Sequence, residues 1–504
     1  MTQTTAPQVT EPVAHVLVGG STHPAPLAPV VNPALTSETV GWTAMGTETD
    51  ADLAVRTAHH AFAAWSALTP AERGAYLEDA AAALDPTGEE RARLLVREQG
   101  KVLWEARMET GRVGDMLRYY SSLAEEVAAE KVTVDARGTL RVRRRPMGVT
   151  AIIVPWNAPV YLAFLAVAPA LVAGNTIVVK PSELAPLALT ETLTTLATVL
   201  PEGVVNVVPG DGAVVGAALS AHPLVRKVLF TGSTATGQAV MRAAAGTVKN
   251  IGLELGGNDP AIVLESARIT DQLIGELVKG VYTGTGQICF NVKRIYVHES
   301  RYREFLDAFT AAVDEIVVGP GLHPEATMGP LNNEPQLRRV EELVERARAG
   351  GADVATLGRK LDPETWGSGY FLLPSVVSGL PDDAELVRCE QFGPTVPVLP
   401  FRDEDDVVDR ANDTEFGLAA SLWTEDVDHA FDLSRRIESG TVFVNVHRLG
   451  ASDITMPFGG MKRSGIGRNH GIVAIEGCTE MQVVAHRVDH ERLPGPHLYG
   501  QEGS

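Results

Sequence analysis

An α/β fold with two parallel-sheet units is expected from three observations. Between residues 149 and 264 the short apolar runs VTAIIV, NTIVVK, VVNVV and KVLFT alternate with helix-like segments such as LALTETLTTLATVL and STATGQAVMRAAA. The alternation resumes after Cys289, where KRIYVH, TVPVLPF, AASLWT and TVFVNV read as strands. A length of 504 residues allows about three domains and a large core.

Taken in order, residues 1–12 are rich in Thr and Pro and are expected to be mobile. Residues 50–125 are helical by their Ala, Leu and Glu content and should pack on the first sheet. Residues 128–146, ending in Arg141-Val142-Arg143-Arg144-Arg145, alternate like an exposed hairpin. In 149–264, buried strands one helix length apart imply right-handed βαβ units, a Rossmann-like nucleotide domain. Helices are expected near 301–317, 335–349, 404–412 and 426–438 of the second unit, and the run MQVVAHRV reads as a late strand. The expected organisation is a cofactor domain from 1–127 with 147–256 and a catalytic domain from 257–470. An arm and tail come from 128–146 with 471–504.

Composition narrows the function classes. With 43 basic and 63 acidic residues the formal charge is −20, which argues against nucleic-acid binding and for a soluble cytoplasmic enzyme. The three cysteines, Cys289, Cys389 and Cys478, cannot frame a chain this long, so a reducing compartment is expected. The N-terminus has neither the basic start nor the apolar core of a secretory signal. Val160 to Val179 carries no charge, but Pro169 and Gly174-Asn175 interrupt it and Lys180 follows. A buried helix, a turn and a strand are expected there instead of a membrane span. No His and Cys cluster has metal-ligand spacing, so no metal is expected.

Three motifs carry chemistry. Glu254 lies in Glu-Leu-Gly-Gly-Asn, Cys289 follows 35 residues later in Gly-Gln-Ile-Cys, and Asn157 ends Pro-Trp-Asn after an apolar strand. A thiol, a carboxylate base and an amide donor suit covalent chemistry on a carbonyl. Most lone cysteines are small buried hydrophobes. Cys478 has no motif, and Glu390 beside Cys389 opposes a thiolate there. Cys289 alone sits in a Gly- and Thr-rich loop that lets a ligand approach closely. Phe230-Thr231-Gly232-Ser233 ends a strand and opens a helix, whose first N–H groups and the Ser233 hydroxyl can bind a pyrophosphate. Gly210-Asp211-Gly212 with Gly216 misses strict G-x-G-x-x-G spacing, and a tight turn is its blander reading.

These motifs, from about residue 30 to about residue 485, make the chain resemble the NAD(P)-dependent aldehyde dehydrogenases of the hydrolytic type. The resemblance implies Cys289 as nucleophile, Glu254 as the base that activates water, and Asn157 as an oxyanion donor. It also implies that Lys180 and Glu183 bind the adenosine ribose, Glu390 the nicotinamide ribose, and that Phe392 packs beside the nicotinamide ring. Trp156, Ser182, Gly212, Gly216, Phe230, Gly232, Ser233 and Leu255 complete the expected cofactor set. A carboxylate at Glu183 should repel a 2′-phosphate, so NAD is expected, with NADP as the alternative. Where many relatives have Glu after Gly467-Arg468, this chain has Asn469-His470, which puts more weight on Glu254. The family's arm segments imply a homodimer or homotetramer.

Ala158 stands where many relatives have an aromatic residue and should widen the substrate tunnel. Tyr161, Leu162, Leu165, Phe290, Leu449 and Phe458 are further lining candidates. The expected substrate is a medium-sized apolar aldehyde, aromatic or aliphatic. His447 and Arg448 could instead bind a polar tail, which keeps a semialdehyde dehydrogenase open. A non-catalytic nucleotide-binding relative is the alternative from another class.

Overall fold

The computed structural model describes residues 11–135, 138–451 and 453–487. Most of the segment expected to be mobile, and the end of the tail, lie outside these residues. The first sheet has eight strands in the order Gly465–Ile466, Asn250–Glu254, Val225–Thr231, Val149–Ile153, Thr176–Lys180, Val205–Val207, Val16–Val18 and Ser21–His23. Its five central strands are parallel. Val149–Ile153 and Thr176–Lys180 are wholly buried, as unbroken apolar runs covered on both faces must be. Chain order reverses beside Val149–Ile153, and the crevice beyond the carboxyl ends of such strands is where ligands bind.

A second sheet of seven strands runs Asp353–Thr356, Ser375–Ser378, Thr395–Phe401, Val292–His298, Asp259–Val263, Ala419–Trp423 and Thr441–Val444. All its neighbours are parallel except the first pair. Each unit has its own core, one around Phe164, Leu171 and Ile177 and one around Phe305, Phe309 and Trp423. The expected strands and helices fall within a few residues of the observed ones. One segment crosses over: Gly465–Ile466, far along the chain, pairs antiparallel with Leu253–Glu254 at the edge of the first sheet.

The uncharged stretch is helix Pro159–Val172, a turn and strand Thr176–Lys180, and no helix among the described residues is long and apolar enough to cross a membrane. Lys131–Asp135, Gly138–Pro146 and Thr479–Arg487 form a separate antiparallel sheet. Val132, Val134, Met481 and Val483 are exposed on it.

Two helix starts are capped from a distance. Glu98 is fully buried and accepts from the Leu187 and Ala188 N–H groups at 2.6 and 2.8 Å. Glu109 accepts from Val160 and Tyr161 N–H at 2.8 and 3.2 Å. A carboxylate there satisfies orphan donors and meets the positive end of the helix dipole. Burial nevertheless raises the Glu98 pKa to about 8.

Helix Asp271–Tyr282 contains a paired test of packing. A Cβ on Gly280 would stand 2.2 Å from the His447 carbonyl oxygen, whereas one on Gly275 meets nothing within 4 Å. Gly280→Ala should destabilise by about 1–3 kcal/mol through overpacking. Gly275→Ala should stabilise by about 0.5–1 kcal/mol through helix propensity. Denaturant unfolding of both variants checks the pair; equal effects would remove the packing account.

Candidate active site

Four parallel strands of the first sheet deliver site residues from their carboxyl ends. Pro155-Trp156-Asn157 follows Val149–Ile153, Lys180 ends the next strand, Gly232-Ser233 follows Val225–Thr231, and Glu254 ends Asn250–Glu254. The second unit supplies the loop bearing Cys289, between helix Asp271–Tyr282 and strand Val292–His298.

Two cavities meet there. A cleft is lined by Trp156, Gly232, Ser233, Leu255, Glu390 and Phe392, and reaches Asn157, Glu254 and Cys289. A tunnel from the other side is lined by Ala158, Tyr161, Leu162, Leu165, Phe290 and Phe458, and reaches the same three residues. Asn157 Nδ2 donates to the Gln287 carbonyl at 2.8 Å. An amide has two N–H donors, so this bond fixes the direction of the other. Lys101 holds the Asn157 carbonyl at 2.9 Å and forms a buried ion pair with Glu109. The cysteine loop is pinned as tightly. Glu105 accepts from Gly284 N–H at 2.7 Å, Gln287 Oε1 accepts from Asn332 N–H at 3.0 Å, and Lys293 donates to the Ile288 carbonyl at 2.7 Å. Gly286 has φ 73°, and a Cβ on it would stand 2.1 Å from the Gly393 carbonyl oxygen. Only glycine fits that turn.

Burial dominates the electrostatics. It raises Glu254 to about 8, opposed only by Arg468. It pushes the Cys289 thiol up to about 12, helped by the negative charges of Glu254, Glu390 and Asp259 and opposed by Lys293. Cys389 and Cys478 are also raised, chiefly by burial.

The cleft fits an extended nucleotide. It lies at the start of helix Thr234–Ala245, capped by Ser233. Gly256 leaves room for Glu390, whose carboxylate would stand 2.4 Å from a Cβ there. Glu390 Oε1 accepts from Gly257 N–H at 3.3 Å. Phe392 stands edge-on to Trp156, ring centroids 5.7 Å apart. Lys180 is buried, donates to Glu183 at 3.3 Å, and lies at the carboxyl edge with Ser182.

Several expected residues lie elsewhere. Gly212 is exposed at the start of the short helix Gly212–Gly216, capped by Asp211, and does not line the cleft. Gly216 is buried near Lys180 and Ile153 and does not line the cleft. Phe230 packs beneath Gly232 and faces a separate cavity of about 400 Å³ behind Glu254. His447 is fully buried and does not line the tunnel. Burial lowers its pKa to about 4, so the neutral ring donates from Nε2 to the Phe290 carbonyl at 2.7 Å and accepts at Nδ1 from Ser421 at 2.9 Å. It braces Phe290, the residue after Cys289. Asn445 clamps both backbone groups of Thr424 at 2.9 Å.

Sequence reasoning missed Lys101, Glu105, Met108, Glu109 and Arg112, which reach the tunnel from helix Leu103–Ser122 and the turn before it. It also missed Gln336 and Arg339, which line the cleft and hold the Glu390–Phe392 backbone. The charged ones give no sequence signal beyond charge in or beside a helix, which every exposed helix carries, and Met108 and Gln336 give none.

Comparison with known proteins bears on the family and the fold. The aldehyde dehydrogenase family model matches residues 21–484. An aldehyde dehydrogenase from Bacillus cereus in complex with NAD+ is 33% identical with a TM-score of 0.90, covering 95% of this chain and 97% of its own. Betaine aldehyde dehydrogenase from Staphylococcus aureus in complex with NAD+ is 29% identical with a TM-score of 0.89, covering 95% and 94%. An NADP-dependent enzyme of E. coli is 32% identical with a TM-score of 0.89, covering 95% and 99%. Matched along nearly its whole length in sequence and in fold, the chain belongs to the aldehyde dehydrogenase family.

Proposed function

We propose that the protein oxidises an aldehyde to the carboxylic acid with NAD, through a thioester on Cys289. The observation that carries this reading is the meeting of tunnel and cleft at Cys289, Glu254 and Asn157. Cys289 Sγ, having lost its proton, attacks the carbonyl carbon. The free N–H of Asn157 and the Cys289 backbone N–H receive the oxyanion. Trp156, Gly232, Ser233, Leu255, Glu390 and Phe392 would hold NAD, which would supply the hydride acceptor needed to leave an acyl group on sulfur. Glu254 takes a proton from water, whose oxygen adds to the acyl carbon and releases the acid and the thiol. Lys180 and Glu183, at the carboxyl end of the strand next to the one that leads to Trp156 and Asn157, favour NAD over NADP, because a carboxylate repels a 2′-phosphate. The apolar tunnel wall of Leu162, Leu165, Phe290 and Phe458 favours a medium-sized aldehyde with an apolar body. The arm sheet, with apolar side chains exposed, supports a homodimer or homotetramer.

Cys289→Ala should abolish NADH formation, read at 340 nm with mixed aldehydes. Glu254→Gln should retain one burst equivalent of NADH and lose steady turnover by about 10²–10⁴-fold, since it acts after hydride transfer. Loss of the burst as well would place Glu254 before that step.

The Glu254 pKa near 8 adds a pH dependence. The carboxylate is the active form, so turnover limited by hydrolysis should rise roughly tenfold from pH 7 to pH 9. A flat profile for the wild type would remove Glu254 as the titrating base.

Light scattering should give a dimer or tetramer mass, and Val134→Glu with Val483→Glu should lower it. An unchanged mass would move the interface off the arm.

A further inference from the structure

The tunnel wall opposite its apolar side carries charge. Arg112 reaches it from helix Leu103–Ser122, beside Met108, Tyr161, Leu449 and Gly450. A Cβ on Gly450 would stand 3.4 Å from Arg112 Nη2 and 3.7 Å from Arg448 Nη1, so two guanidinium groups flank this glycine. They differ in what they meet. Arg448 is paired with Glu276. Arg112 has no ion pair among the described residues, and its charge faces the Tyr161 hydroxyl. Burial pushes that phenol up and Arg112 pulls it back. Glu109, one turn earlier on the helix, cannot serve Arg112. Its carboxylate is taken by Lys101 and by the N–H groups of Val160 and Tyr161.

Arg112 is half-buried without a carboxylate of its own, whereas Lys101, Glu105 and Glu109 in the same tunnel are held by each other and by backbone groups, so its guanidinium is left to meet a ligand. Its planar fork matches an anionic oxygen pair. We infer that the tunnel selects an aldehyde with an apolar body and an anionic oxygen at the end remote from the carbonyl, bound by Arg112 with the Tyr161 hydroxyl beside it. This rests on the proposed oxidation and narrows its substrate class. The carbonyl end goes to Cys289, and the charged end stays at the helix Leu103–Ser122.

The test compares kcat/KM of the full-length enzyme, with saturating NAD, for benzaldehyde, 4-formylbenzoate and 4-hydroxybenzaldehyde above the ionisation of its phenol. An anionic substrate should exceed benzaldehyde by roughly ten- to a hundredfold, as a charge-assisted pair implies. The faster of the two anions tells carboxylate from phenolate. In Arg112→Met the ratio should fall to about one or below, mostly through KM, and Arg112→Lys should keep part of it. Tyr161→Phe should lower the ratio less. Benzaldehyde preferred by the wild type, or a ratio unchanged in Arg112→Met, overturns the inference. Calorimetric binding of terephthalate against benzoate, wild type against Arg112→Met, reads the same selectivity without turnover. Tighter terephthalate binding that Arg112→Met abolishes supports the inference even if no aldehyde yields NADH, in which case the oxidation reading alone fails. Equal binding of the two acids counts against it.

Discussion

The buried ion pair between Lys101 and Glu109 holds the geometry on which the rest of the site depends. Glu109 serves three partners at once: the Lys101 ammonium and the first N–H groups of helix Pro159–Val172. Lys101 in turn grips the carbonyl of Asn157. Asn157, Ala158 and Tyr161 therefore take their positions from a turn more than 50 residues earlier. Removing one partner of such a buried pair typically costs about 3–5 kcal/mol, because the other charge is left unmatched. That penalty falls on the oxyanion donor and the tunnel wall together, so binding and chemistry cannot be perturbed separately at this point.

The same desolvation that sharpens the site restrains it. A thiol pushed to about 12 stays protonated at neutral pH, and each of the three neighbouring carboxyl groups resists its ionisation further once it loses its own proton. Lys293 alone opposes them from within the buried group, with its ammonium 5.8 Å from the Phe392 ring. The nucleophile is thus held in reserve until positive charge arrives or a base takes its proton. Glu98, Glu105 and Glu254 are raised to about 8, 7 and 8, so each binds a proton in the folded state that it has lost when unfolded near neutral pH. Their contribution to stability falls as pH rises from the unfolded value near 4.5 to those folded values. The fold accepts this because two of the three hold backbone N–H groups that nothing nearer satisfies.

Much of the architecture was legible because it is local. Buried parallel strands announce themselves as unbroken runs of Val and Ile, and TVPVLPF is the strand Thr395–Phe401 residue for residue. Cys289 and Glu254 were legible through their glycines, which the structure shows to be required by contact: Gly286 against Gly393 and Gly257 against the Cys289 carbonyl. What escaped the sequence is non-local. Arg112 lies 177 residues before Cys289, and nothing around it distinguishes it from a solvated helix charge. His447 failed for the opposite reason, since its polar side chain beside Arg448 said nothing of burial. Gly212 sits in a motif that misses the strict spacing and Phe230 in one read from its strand end, and neither lines the cleft, because backbone direction decides which way they face.

The crossing segment at Gly465–Ile466 explains why nucleotide cleft and tunnel share residues. Ser464 accepts from Gly417 N–H at 2.9 Å, donates to the Gly256 carbonyl at 2.7 Å, and its own carbonyl accepts from Leu255 N–H at 2.9 Å. One serine therefore joins the second unit to the loop just past Glu254. Gly465 permits the close approach, since a Cβ would stand 2.1 Å from the Leu253 carbonyl oxygen at φ 152°. Glu254 is carried by the first sheet and Cys289 by the loop that enters the second. Their separation is fixed by this seam and by the Asn157–Gln287 bond on the other side of the cleft. With a clamp on each side, the two units cannot rock apart without breaking hydrogen bonds to the residues that do the chemistry. Precision at the thiol is thus a property of the junction, and it follows from chain segments that belong to one unit in sequence and to the other in space.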